Sequence, residues 1–157
     1  MVSKQTIAVL LKEIQQALKD ADGAYSPMVA SLKGLDPFLN LKSQSQLHTE
    51  AGKKAMAPFR ESFKNFQVHV RRMTAAYNDL SSDLQSALVG RGSQDVLLQE
   101  LSRQGALLAQ EINLRQNAEK IFGELIPVLD RIAVQEKATP AQQKKIEDLV
   151  FRLQLLG

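Results

Sequence analysis

The sequence predicts an all-α fold: an antiparallel helical bundle of four principal helices plus one or two short ones, with coiled-coil-like heptad packing around a long helical hairpin. Three observations carry that prediction. Phe59, Phe63, Phe66, Val70, Met73, Tyr77, Leu80, Leu84 and Ala87 follow one another at alternating steps of 4 and 3. Such spacing averages about 3.5 residues per turn, which holds one apolar seam against a neighbouring helix. Gly90-Arg91-Gly92-Ser93 then reverses the chain in four residues, short enough to force the flanking helices antiparallel. Finally, no run alternates with the two-residue period of a strand, and no hairpin dipeptide separates apolar runs.

Taken in order, a first helix is expected from the N-terminal region to residue 21. Ser3 serves as its N-cap, Ile7, Leu11, Ile14, Leu18 and Ala21 form its seam, and Asp22-Gly23 ends it. Residues 26–48 read as short helices and loop, because Ser26-Pro27 and Asp36-Pro37 each look like an N-cap followed by a first-turn proline. A long third helix covers 49–89, with Thr49 as its cap and Pro58 in its first turn or kinking it.

The fourth helix, 94–135, starts from Ser93 and is kinked by Pro127. It carries two apolar lines: Leu97, Leu101, Leu108 and Ile112, then Leu114, Ala118, Ile121, Leu125, Val128 and Ile132. A stripe that wide implies more than one neighbour. Thr139-Pro140-Ala141-Gln142 is a capping box that opens a fifth helix over 139–156, with Ile146, Leu149, Leu153 and Leu156 as its apolar line. Length and a 44% hydrophobic content suit one packed domain over residues 1–157.

Composition narrows the chemistry. Cysteine is absent, which removes disulfides, thiol catalysis and thiolate metal sites. No apolar run approaches the ~18–20 residues of a membrane span and no signal-peptide core is evident, so a cytoplasmic location is expected. The two histidines, His48 and His69, lack both a Glu three residues earlier and a His four residues away, so no metal site is expected. Leu47-His48-Thr49-Glu50-Ala51-Gly52 resembles histidine phosphotransfer domains at His48 and Gly52 alone. Ala51 stands where those domains carry Lys, and Glu50 adds a negative charge that opposes phosphoryl chemistry. No paired core carboxylates occur, and Glu119 with Arg115 reads as a surface i,i+4 brace. The sequence therefore points away from an enzyme and implies no cofactor.

Two features point to partners. Residues 48–72 hold six Lys/Arg against two acids, and Lys53, Arg60, Lys64 and Arg71 recur at 7, 4 and 7 with Arg72 beside them. That face is a candidate for anions, an acidic partner or an anionic membrane surface, unless acids of the fourth helix neutralise it. Nucleic acid is disfavoured, for want of exposed aromatics that stack on bases. The second feature is Phe59, Phe63 and Phe66, half of the chain's six phenylalanines within eight residues. They suit either the core or an apolar interface. The sequence-level expectation is a scaffold or adaptor that binds another protein or a second copy, as in a homodimer. A peripheral membrane or anion-binding bundle is the alternative.

Overall fold

The computed structural model describes residues 3–35, 38, 47, 49–89, 95–135 and 138–156. Among these, four helices and no strand occur: α1 (Lys4–Lys33), α2 (Glu50–Leu88), α3 (Val96–Ala133) and α4 (Pro140–Leu155). The all-α bundle expected from the sequence is what the chain adopts.

Polar caps set the helix starts. Ser3 Oγ accepts the Thr6 amide at 3.1 Å, Thr49 Oγ1 accepts the Gly52 amide at 3.1 Å, and Asp95 Oδ1 accepts the amides of Leu97 and Leu98. Each satisfies a first-turn donor that has no partner within its helix. α4 has the full reciprocal box: Thr139 Oγ1 accepts from the Gln142 amide, and Gln142 Oε1 accepts from the Thr139 amide at 2.9 Å. The expected Ser93 cap lies outside the described residues, and Asp95 does that work two residues later.

The main departure concerns α1. The helix does not end at Asp22-Gly23, and Ser26-Pro27 does not start a new one; a single helix runs through both to Lys33. The reason is which face these residues occupy. Gly23 and Pro27 are both exposed, so the Gly23 carbonyl that loses its Pro27 donor meets water. On the opposite face Ala21 and Met28 are fully buried and hold the helix together. Pro127 likewise sits exposed inside α3, again four residues after an exposed glycine, Gly123. Pro58 lies nine residues into α2 rather than in its first turn. The expected short helix at Asp36-Pro37 and the Gly90–Ser93 turn fall outside the described residues.

The helices contribute to two compact units. Unit 1 comprises residues 1–22 and 67–116; unit 2 comprises 23–66 and 117–157. In unit 1, Lys4 pairs with Asp95 and Asp22 with Arg115, so α1 and α3 run in the same direction. Gly105 of α3 approaches Leu80 and Leu84 of α2, while Gln116 bonds Thr74 at 2.9 Å, so α2 runs antiparallel to α3. The core there is aliphatic: Ile7, Leu11, Ile14, Val70, Met73, Leu80, Leu98, Leu101 and Ile112 are buried.

Unit 2 is built on aromatics. Phe59, Phe66 and Phe122 are fully buried, Phe59 meets Phe122 edge-on at 5.9 Å, and Tyr25 touches both Phe66 and Phe122. α4 returns antiparallel to α3 after residues 134–139, as its Arg152–Glu124 contact at 3.7 Å requires. It buries Ile146 and Leu149. Of the two lines expected on the fourth helix, most members are buried or half-buried, but Leu97 and Leu114 are 51% and 40% exposed.

Candidate functional site

In unit 2 three helices leave an open groove of about 760 Å³. One wall is α1, whose Tyr25, Val29 and Leu32 recur at steps of 4 and 3 and so share a face, with Lys33 beside them. The floor is Phe122, Leu125 and Leu129 of α3, again at 3 and 4. The other wall is α4, through Ile146, Val150, Phe151 and Leu153, with Glu147 and Gln154 on the rim. Phe151 is 57% exposed at this edge, an unusual position for a phenylalanine without a partner.

The polar groups of the groove are few. Tyr25 is half-buried, and burial raises its phenol above the ordinary pKa, so the hydroxyl keeps its proton as a hydrogen-bond donor. It bonds to no described residue, and neither Lys33 nor Glu147 forms an ion pair among the described residues. An apolar trough with a small number of unengaged polar groups at its edge can take the apolar face of a helix. Among the described residues no cluster of three His, Cys, Asp or Glu could bind a metal ion.

The residues singled out from the sequence fall elsewhere. Phe59 and Phe66 are fully buried and form the aromatic core of unit 2, and Phe63 is half-buried beside Gly123. Packing takes Phe59 and Phe66 out of reach of a partner. Lys53, Arg60 and Lys64 are exposed on the unit 2 part of α2, where Arg60 pairs with Asp130 of α3. Arg71 and Arg72 belong to unit 1. Arg71 is exposed, whereas Arg72 is half-buried and bonds Asp20 at 2.8 Å. Neutralisation by fourth-helix acids therefore holds at Arg60, while Arg72 finds its acid on α1. Lys53, Lys64 and Arg71 form no ion pair among the described residues.

Arg115 does not brace Glu119. It is held by Glu111 and by both carboxylate oxygens of Asp22, at 3.0 Å each from Nη2. Burial works against its charge, but the two carboxylates outweigh that and raise its pKa. His48 lies outside the described residues. His69 is half-buried, 3.5 Å from Arg72.

Sequence reasoning missed the groove for a local reason. Its α1 wall lies beyond Asp22-Gly23, where a helix end was expected, and Phe151 is off the line Ile146, Leu149, Leu153. Tyr25, Val29 and Leu32, taken as a continuation of the first helix, give one wall of the groove and not the other two sides.

Among the described residues, the fold and the groove define a four-helix, all-α bundle with an apolar trough. No family model, no curated protein and no solved structure matches the chain. Among the described residues, no helix is long and apolar enough to cross a membrane.

Proposed function

We propose that this chain is a non-enzymatic protein-interaction bundle, an adaptor or scaffold, that docks an amphipathic partner helix in the groove of unit 2. The observation that supports this reading is the open apolar trough between α1, α3 and α4, with Phe151 left 57% exposed on its rim. A helix laid there would cover apolar surface that water now meets, the usual driving force of helix-in-groove recognition. The test is a displayed library of helical peptides selected on the protein, followed by affinity measurement on Phe151→Asp. Because Phe151 is exposed, the substitution leaves the fold intact and weakens selected peptides about tenfold or more. Undiminished affinity for the variant would remove the groove from the reading.

A second reading rests on Lys53 and Lys64, exposed on α2 with no ion pair among the described residues. They would bring the bundle to an anionic membrane surface. Flotation with anionic vesicles, abolished at high salt and by Lys53→Glu with Lys64→Glu, is the expected result for that reading.

A further inference from the structure

The groove has two chemically different ends. Tyr25 and Phe122 meet edge-on at 6.2 Å, and α1 and α3 run on from there in the same direction. The α1 wall proceeds through Val29 and Leu32 to Lys33, eight residues or about 12 Å at ~1.5 Å per residue. The α3 floor proceeds through Leu125 to Leu129. α4 is antiparallel, with Arg152 at Glu124, and that register sets Gln154 level with Phe122 and Glu147 level with Leu129. Tyr25, Phe122 and Leu153 thus mark an aromatic end. Lys33 and Glu147 mark the other, on opposite walls and of opposite sign.

Both charges are exposed, and neither forms an ion pair among the described residues, so an occupant meets the two of them. We infer that the groove reads charge as well as apolar surface: its occupant is an amphipathic helix carrying an acidic residue on the flank facing Lys33 and a basic residue on the flank facing Glu147. This rests on the docking reading above and specifies the partner. A groove of about two helical turns matches an apolar stripe at i, i+4 and i+7, which spans roughly 10 Å. A helix also shows two flanks at one level, which lets it answer both signs at the same end. A fatty acyl chain with a single anionic head would satisfy Lys33 and leave Glu147 facing the same negative charge, which disfavours it.

The test uses a displayed library of helical peptides with Leu fixed at i, i+4 and i+7 and randomised flanks, selected separately on the wild-type chain and on the Lys33→Glu/Glu147→Lys double variant. Circular dichroism first establishes that the double variant is folded. The wild type is expected to enrich an acid on one flank and a base on the other at one end of the stripe. The double variant should enrich the reverse arrangement, and each peptide should bind its mismatched protein about tenfold more weakly. Enrichment of the stripe with indifferent flanks would overturn the charge rule and leave the docking reading standing. No enrichment above the Phe151→Asp control would overturn both. Binding of a fluorescent fatty acid with no peptide enriched would likewise overturn both, and would assign the groove to an amphiphile.

Discussion

Units 1 and 2 draw on the same three long helices and settle burial in different ways. Unit 1 packs aliphatic side chains and braces its surface with charge: Lys4–Asp95, Arg72–Asp20, Arg115–Asp22 and Arg115–Glu111 tie or flank its helices. It still leaves Val96, Leu107 and Leu114 exposed along α3. Unit 2 gathers Tyr25, Phe59, Phe66 and Phe122 and adds a further helix, α4. An added helix need not close a core. α4 buries Ile146 and Leu149, yet leaves a trough with Phe151 on its lip. α4 is 16 residues long against 38 for α3, and the groove beside it stays open.

The largest expected effect breaks unit 2 at its aromatic centre. Phe122 is fully buried and touches Tyr25 and Phe59, so Phe122→Ala should cost about 3–5 kcal/mol through lost burial and an unfilled cavity. Urea unfolding gives the magnitude. Amide exchange sharpens the contrast, because protection should fall in α4 and in residues 118–133 while residues 7–18 keep theirs. Equal loss of protection in both units would mean that they open as one, and the distinction would lose its energetic content.

How much of this was legible depends on the local signal. The buried side of α2 was readable because one period runs along it: Phe59, Phe66, Val70, Met73, Leu80 and Leu84 are buried, while Phe63, Tyr77 and Ala87 on the same line are half-buried. The Thr139–Gln142 box was readable because a cap is a short-range bond between two residues three apart. The continuation of α1 was not. In the sequence Gly and Pro read as helix breakers whichever face they occupy, and only the folded helix puts Gly23 and Pro27 toward water with Ala21 and Met28 buried on the opposite side. The partners of Arg72 and Arg115 were hidden for the same reason, since Asp20 and Asp22 lie 52 and 93 residues away in the chain. The groove needs three helices at once, so no single stretch announces it.

Intermediate effects test how each unit uses its capping and its glycines. Thr139→Ala removes the reciprocal cap of α4 and should cost about 1 kcal/mol, with the loss of protection confined to unit 2. Gly123 lies within α3 on an exposed face, and a Cβ there would come no closer than 3.8 Å to Phe63. Gly123→Ala should therefore stabilise by roughly 0.5–1 kcal/mol through helix propensity alone. Gly105 in unit 1 is buried, and its Cβ would stand 3.4 Å from both Leu80 and Leu84. Gly105→Ala should gain less, since part of the propensity term goes to moving two packed leucines. Paired thermal melts decide this; a larger gain at Gly105 would mean that the unit 1 core is looser than its contacts imply.

The smallest effect separates the units by pH. Three carboxylates of unit 1 are held below their ordinary pKa: Asp20 by its bonds to Arg72 and Gln16, Asp95 by Lys4 and the Leu98 amide, and Glu100 by Arg103 and Gln104. A carboxyl lowered on folding contributes stability above its unfolded pKa of about 4, and that contribution disappears as pH falls through the folded value. Unit 1 should accordingly weaken as pH drops from about 5 toward 2, and Asp20→Asn should flatten part of that slope while lowering stability at pH 7. The groups are partly open to solvent, so salt should shrink the effect as well. Urea midpoints at pH 6 and pH 3, read through amides of unit 1, measure it. A slope unchanged in Asp20→Asn would show that the Arg72 bond, for all its 2.8 Å geometry, holds nothing that protonation releases.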